Sequence, residues 1–193
     1  MILGILSDTH GNAAITASAV QVLKAVGAEA FIHCGDVGGA AVLDELAGLR
    51  AWFVWGNTDE PEPRLALYAR SIGLTPPTGV PLRVQLAGHT LAVFHGHESR
   101  FARLADLAEA GDANRTEAAV DGARYVLFGH THTRYDVRAG AVRFINPGAL
   151  HRARIHSVAT LDLRRDALRF WHVDAQRAKH SDAPREFPWA GST

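Results

Sequence analysis

Five short apolar runs, each ending in a polar cluster, recur along the first two thirds of the chain. They read ILGILSDTH, AFIHCGD, AWFVWGN, LAVFHGH and YVLFGHTH. Short apolar runs that end at Gly, Asn, Asp or His are typical of buried strands. Between them, apolar residues recur at helical spacing in segments that begin near Ile15, Val42 and Phe101. This alternation of strand and helix predicts a parallel sheet with right-handed crossovers.

The last third of the chain changes to the pattern of β-hairpins. TRYDVRAGAVRFI turns at Gly140, and SVATLDLRRDALRFWHV turns near Asp166. We therefore predict an α/β fold in which two mixed sheets pack face to face with helices outside, a four-layer αββα sandwich. No repeat or linker divides the chain, so we expect a single domain over residues 1–175. The polar, proline-containing residues 176–193 predict an irregular C-terminal tail.

Length and composition limit the classes of protein to which this chain can belong. A chain of 193 residues can bury one core without a disulfide or a structural metal. Basic and acidic residues number 20 each, which argues against a polyanion-coating protein but leaves room for a local basic patch. The single cysteine, Cys34, fits a reducing compartment and reads as a buried thiol rather than a nucleophile. No run approaches the ~18 apolar residues of a membrane span, so we expect a cytoplasmic protein.

All five polar clusters lie at strand ends, where parallel sheets bind their ligands. They supply seven candidate metal ligands: Asp8, His10, Asp36, Asn57, His95, His130 and His132. One ion does not need seven protein ligands, whereas two ions that share a carboxylate need about that many. A mononuclear iron site with two histidines and one carboxylate would leave most of the set unused. The set therefore predicts a binuclear metal centre.

These motifs resemble the signature of the calcineurin-like metallophosphoesterase superfamily. The family pattern of DxH, GD, GN, H and GHxH stands here as Asp8-Thr9-His10, Gly35-Asp36, Gly56-Asn57, His95 and Gly129-His130-Thr131-His132. The short chain, and GNTD in place of GNHE or GNHD, resemble the small bacterial and archaeal phosphodiesterase branch. The fold of the retromer subunit is related to that branch.

The resemblance implies a role for each of the seven residues. One ion would be held by Asp8, His10, Asp36 and His132, and the other by Asp36, Asn57, His95 and His130. Asp36 would bridge the ions, which suits a carboxylate because its two oxygens can span metals about 4 Å apart. Manganese is the favoured metal, and iron, nickel, cobalt and zinc suit the same ligands.

The resemblance also implies an activity, that of a metal-dependent phosphoric ester hydrolase. We expect a phosphodiesterase that uses a metal-bridging hydroxide for in-line attack on a small phosphoester, with the seven ligands as its catalytic residues. A phosphomonoesterase or nucleotide phosphatase is an alternative. A non-catalytic scaffold or protein-interaction module of the retromer kind is another, against which the seven intact positions argue. Balanced charge disfavours nucleic acid as a partner, and a homo-oligomer is left open.

Three residues beside the predicted centre have roles that stay open between substrate contact and support of the ligands. In related branches a histidine after GN can protonate the leaving group, but Thr58 stands there, and its hydroxyl is no acid near neutral pH. Asp59, without that histidine, is expected to contact Asn57, a water or Arg64. His97 either faces substrate or is a partly exposed supporting residue.

Overall fold

The computed structural model describes residues 1–59, 63–174 and 183–188. In chain order the elements are β1 (Ile2–Leu6), α1 (Ala13–Ala25), β2 (Ala30–His33), α2 (Ala40–Asp44), β3 (Ala51–Phe53), α3 (Pro63–Ser71), β4 (Leu82–Leu86), β5 (His89–Val93), α4 (Ser99–Glu109), α5 (Ala113–Ala119), β6 (Tyr125–Leu127), β7 (Arg134–Ala139), β8 (Val142–Pro147), β9 (Ser157–Asp162), β10 (Ala167–His172) and β11 (Glu186–Phe187). All five predicted runs form strands, and both predicted hairpins form as β7–β8 and β9–β10.

The strands make two mixed sheets. The first has the order β11-β10-β9-β1-β2-β3 and the second has the order β4-β5-β6-β8-β7. Parallel pairing joins β1 to β2 and β2 to β3 in the first sheet, and β5 to β6 and β6 to β8 in the second. The remaining pairs are antiparallel. The α/β fold with two mixed sheets and flanking helices is therefore as predicted.

A buried apolar layer joins the sheets, and helices cover their outer faces. Strand β1 shows how alternation divides these layers, because Leu3 and Ile5 enter the layer between the sheets while Leu6 packs with α1. Gly4 lets α1 approach, since a Cβ there would lie 3.0 Å from Leu23 Cδ1. Helix α4 packs on the second sheet in the same way, and α5 contacts α4 and β7. No helix of the described ranges is long and apolar enough to cross a membrane.

Several elements depart from the predicted pattern. Helix α2 ends at Asp44, and the apolar residues that continue its period lie in turns that include Gly48 at φ +71°. Helices α3 and α5 and strand β4 were not expected, although Leu82, Val84 and Leu86 alternate as a strand does.

The predicted irregular tail contains a short strand. β11 pairs with β10 because Phe187 is buried there, stacked on His172 with ring centroids 3.3 Å apart. The rest of the tail, apart from residues 183–188, lies outside the described residues, and the division into one domain and a tail stays a prediction.

An ion-pair cluster ties the second sheet to the β9–β10 turn of the first. Arg143 forms a bidentate ion pair with Asp136, in which Nε donates to Oδ1 at 2.7 Å and Nη2 donates to Oδ2 at 2.9 Å. Its Nη1 donates to Asp166 Oδ1 at 2.7 Å. Arg124 and Arg138 also donate to Asp166, each at 2.8 Å. Burial by itself raises the pKa of Asp166, but these three guanidinium groups outweigh it and lower the pKa to about 2.

We expect Asp166→Asn to lower the free energy of unfolding by about 1 to 2 kcal/mol at neutral pH. Because the pKa of Asp166 is lower in the folded chain, its stabilisation is complete above about pH 4 and is lost as the pH falls towards 2. The difference between wild type and variant, measured by denaturant unfolding, should therefore shrink over that range. Asp121→Asn is the control, because Asp121 is 80% exposed in its pair with Arg83 and should change stability by under about 0.5 kcal/mol. A difference that is independent of pH would contradict this assignment.

Candidate metal centre

The seven predicted ligands lie on the loops that leave the carboxyl ends of β1, β2, β3, β5 and β6. Five of them have a backbone φ between +45° and +64°, the left-handed region that non-glycine residues rarely adopt: Asp8, His10, Asp36, His130 and His132. Backbone strain of this kind costs on the order of 1 kcal/mol or more at each residue and clusters at functional sites. The loops therefore bend away from the strands so that their side chains can converge.

One group of side chains comes from the first and fifth of these loops. The ligand atoms of Asp8, His10 and His132 all lie within 4.8 Å of one another. His132 Nε2 is 3.3 Å from Asp8 Oδ1, and His10 Nε2 is 3.4 Å from Asp36 Oδ2. His10 Nε2 is buried and has no hydrogen-bond partner among the described residues. A buried imidazole nitrogen aimed at two carboxylates in this way suits a cation between them.

A second group shares the two carboxylates. The ligand atoms of Asp8, Asp36 and His95 lie within 4.8 Å of one another, and all three residues are buried. His95 Nε2 is 3.4 Å from Asp36 Oδ1 and 3.1 Å from Asn57 Oδ1. Asp36 thus presents one carboxylate oxygen to His10 and the other to His95.

His130 lies beside the second group rather than within it. Its exposed ring is centred 5.1 Å from that of His95. Its backbone N–H donates to both oxygens of Asp8, at 3.2 and 3.1 Å. The structure therefore brings together six of the seven predicted ligands and places His130 at the rim, and their roles as ligands stay predictions.

Hydrogen bonds and burial set the orientation and the pKa values of these side chains. His95 Nδ1 donates to the Cys34 carbonyl at 2.8 Å, which leaves Nε2 facing Asp36. Burial lowers the pKa of His10, so its imidazole is more readily neutral, the form that binds metal. Burial by itself raises the pKa of Asp36, but hydrogen bonds from His95 and Thr58 hold it well below its ordinary range. Asp36 therefore stays ionised, which is the state in which a carboxylate can bridge two ions.

Two glycines allow the loops to lie directly against the carboxylates. A Cβ on Gly56 would overlap the carboxylate and backbone nitrogen of Asp36. A Cβ on Gly129 would overlap the Ser7 hydroxyl and lie 2.6 Å from Asp8 Oδ2. Close backbone approach, rather than a turn alone, therefore requires glycine at both positions.

Asp59 clamps two of the loops together. Its Oδ2 accepts from the backbone N–H groups of Val37, at 2.9 Å, and Gly56, at 2.8 Å, and its Oδ1 accepts from Gly38 at 2.7 Å. Among the described residues, these hydrogen bonds come from loop nitrogens rather than from the side chains of Asn57 or Arg64. The loop nitrogens take both of its oxygens, because the turn after β3 brings it over the loop after β2.

Two further residues support the loops, and only one of them has a signal in the sequence pattern. Glu98 accepts from the backbone N–H groups of His95 and Gly96, at 2.9 and 2.8 Å, which orients the loop after β5. Asn146 Nδ2 donates to the Gly129 carbonyl at 2.7 Å and so holds the loop after β6. Glu98 follows HGH closely enough to be suspected, whereas no local pattern connects Asn146 with a loop seventeen residues before it.

Three further residues lie at the solvent-accessible rim of the candidate centre. The Thr58 N–H donates to Asp36 Oδ1 at 3.0 Å, and Thr58 Oγ1 lies 3.5 Å from His10 Nδ1. His97 is 37% exposed beside His95. His151, which the sequence does not single out, has its ring 5.2 Å from that of His10.

Cys34 and His33 lie in the core. Burial raises the pKa of the Cys34 thiol, as expected of a structural cysteine. Burial also lowers the pKa of His33 to about 3, and this imidazole lies 2.9 Å from the Thr9 hydroxyl. Both side chains are buried, and His33 contacts the loop after β1 through Thr9.

The fold and site define an α/β sandwich protein with a candidate metal centre at its strand ends. Residues 1–166 match the calcineurin-like phosphoesterase superfamily domain, and the chain belongs to this superfamily. It is 27% identical over 150 residues to phosphodiesterase MJ0936 of Methanocaldococcus jannaschii, a match that covers 77% of this chain and 83% of that protein.

Solved structures show the same fold at lower identity. An archaeal phosphodiesterase superposes with a TM-score of 0.70 at 24% identity, covering 89% of this chain and 99% of that one. Vps29 of Entamoeba histolytica, solved as a complex with zinc, superposes with a TM-score of 0.59 at 16% identity, covering 97% and 98%. The sandwich is therefore common to phosphodiesterases and to Vps29.

Proposed function

We propose that this protein is a binuclear metal-dependent phosphodiesterase. The observation that carries the proposal is the position of Asp36, whose two oxygens each lie 3.4 Å from an imidazole nitrogen of a different ligand group. Membership of the phosphoesterase superfamily supports the ester chemistry. The name of the archaeal relative supports a diester substrate.

The residues fit two divalent ions, which when bound would supply Lewis acidity at the phosphoryl group and lower the pKa of bound water. Asp8, His10 and His132 would hold one ion, with Asp36 shared. Asn57, His95 and His130 would complete the other site. Neutral imidazoles and an amide add no negative charge, so two carboxylates leave the loaded centre positive and suited to a small phosphodiester anion.

A metal and substrate screen tests this proposal. Chelated protein is reloaded with manganese, the favoured ion, or with iron, cobalt, nickel or zinc, and is assayed on phosphomonoesters, aryl phosphodiesters and cyclic nucleotides. We expect two bound equivalents and turnover of the aryl diesters. Turnover restricted to monoesters would favour a phosphatase instead. Binding of two equivalents without turnover of any substrate would favour the non-catalytic scaffold, and failure to bind a second equivalent would overturn the binuclear site.

Thr58 predicts a steep dependence of rate on the leaving group. With no acid after Asn57, the leaving oxygen must depart without a proton from that position, so log(kcat/KM) should fall as the pKa of the leaving alcohol rises. A series of aryl methyl phosphodiesters measures the slope. Thr58→His should make it shallower, while Thr58→Ser, which keeps the hydroxyl, should reproduce the wild-type slope. A flat plot for the wild type would refute the prediction.

A further inference from the structure

A cleft rich in arginine opens beside the candidate metal centre. It has a volume of about 470 Å³ and lies between the start of β7 and the loop that joins β8 to β9. Arg134 enters it from β7, and Arg152 and Arg154 enter it from the loop. We call these three residues and the space between them the arginine cleft.

The arginine cleft is positively charged in a chain whose formal net charge is zero. None of the described residues that line it is an aspartate or glutamate. Arg152 and Arg154 form no ion pair with any residue of the described ranges, unlike Arg124, Arg138 and Arg143 in the cluster around Asp166. Several guanidinium groups in a cleft that has no acidic side chain among its described lining residues favour an anionic ligand.

Packing holds the arginine cleft in place. The guanidinium carbon of Arg134 lies 3.8 Å from the ring centroid of Phe187, so β11 supports it from below. The loop is tied to the first sheet, because the Leu150 N–H donates to the Ser7 carbonyl at 3.2 Å. At the other end of the loop, the Ser157 N–H donates to the Ala149 carbonyl at 3.2 Å.

The arginine cleft shares one residue with the candidate metal centre. His132 lines the cleft and also belongs to the group of Asp8 and His10. His151, which directly precedes Arg152, has its ring 5.2 Å from that of His10. A molecule whose phosphorus lies at the centre can therefore extend past His132 into the cleft.

We propose that the arginine cleft binds a second phosphate of the substrate, so that the preferred substrates are nucleotide diesters that carry a phosphate beyond the one being cleaved. The proposal rests on the proposed phosphodiesterase function. Arginine forks match phosphate oxygens in geometry and charge, and a second charged contact raises affinity without altering the reacting bond. The cleft thereby selects among diesters that have the same leaving group.

Two chromogenic substrates test this selection with one leaving group. They are thymidine 5′-(p-nitrophenyl phosphate) and its 3′-phosphorylated form, assayed with manganese-loaded protein. We expect kcat/KM to favour the 3′-phosphorylated substrate about tenfold, mainly through KM. The preference should fall about tenfold in the Arg152→Gln/Arg154→Gln variant. Arg164→Gln, which changes an exposed arginine in the turn at the far end of β9, should retain it.

Binding measured by calorimetry separates this inference from the proposed activity. Thymidine 3′,5′-bisphosphate should bind the wild type more tightly than thymidine 5′-monophosphate does, and the double variant should lose that difference. If p-nitrophenolate is released from neither substrate while the difference in binding persists, the proposed function fails and the arginine cleft stands. Equal affinity for the two nucleotides, or equal losses on both substrates in the double variant, would overturn the cleft as a phosphate site.

A nucleic acid strand also offers a second phosphate, because it carries one on each side of the scissile phosphate. Competition by a short single-stranded oligothymidylate distinguishes the two sources. Stronger competition than that of thymidine 3′,5′-bisphosphate, abolished in the double variant, would assign the arginine cleft to a strand. Weaker competition would assign it to a free nucleotide. Both results support a second phosphate site, and in both cases the preference should weaken as the salt concentration rises, because salt screens the attraction between guanidinium and phosphate.

Discussion

Asp36→Asn should lower kcat/KM for an aryl phosphodiester by about 10³-fold or more and should remove at least one of the two metal equivalents. The carboxylate has an oxygen facing each ligand group, at 3.4 Å from His10 Nε2 and 3.4 Å from His95 Nε2. Asparagine keeps the shape but has only one oxygen, and its amide N–H₂ would face the other imidazole or ion. Elemental analysis of the dialysed protein, with steady-state kinetics, measures both effects.

Asp106→Asn is the matched control for this substitution, because Asp106 lies exposed on α4 and has no part in the candidate centre. It should bind two equivalents and retain wild-type kinetics. Circular dichroism of Asp36→Asn checks that the variant keeps the native fold, so that lost metal can be assigned to the missing oxygen. An Asp36→Asn protein that binds two equivalents at wild-type affinity would exclude a bridging role for Asp36.

Asp59→Ala should lower the free energy of unfolding by about 4 kcal/mol, although Asp59 is not among the proposed metal ligands. The alanine would leave three backbone N–H groups without their acceptor, those of Val37, Gly38 and Gly56. Val37 and Gly56 flank the proposed ligands Asp36 and Asn57, so metal affinity should fall as well. Denaturant unfolding of the metal-free and metal-loaded protein measures the two effects separately.

Asp59→Asn provides a graded comparison for the clamp. Its amide oxygen can still accept from part of the loop, so about half of the stability loss should return. A residue that only contacted substrate would behave differently, changing KM while leaving unfolding unaffected. If Asp59→Ala is as stable as the wild type, the clamp contributes nothing and a substrate role for Asp59 regains support.

Strand ends were predictable because their signal is local. A run such as ILGIL followed by Asp8 and His10 specifies a buried strand and a polar turn within ten residues. Parallel crossovers then place successive turns at one edge of the sheet. The convergence of Asp36 with His10 follows from these two rules, because both residues leave strands of the first sheet. His95 leaves β5 of the second sheet, so its approach to Asp36 also depends on how the two sheets pack together.

The partners of Asp59 were not predictable because they are backbone groups of another loop. Every residue except proline has a backbone N–H, so the residue types at Val37 and Gly38 do not indicate that these groups donate to Asp59. The acceptor lies twenty-two and twenty-one positions away along the chain. Strand β11 illustrates a second limit. A strand of two residues is too short to show a periodicity in the sequence. Phe187 is buried by its contacts with His172 and Arg134, which come together only in the folded chain.

By itself, the sequence determined the order of strands and turns and which side chains stand at the strand ends, because both depend on residue spacing along the chain. Only the tertiary structure decided which residues support the loops of the candidate metal centre and which cleft lies beside it. Asp59, Glu98 and Asn146 act through loop backbones, and the arginine cleft joins β7 to a loop eighteen residues further on. Such contacts depend on the distance between folded segments, which a sequence pattern does not contain.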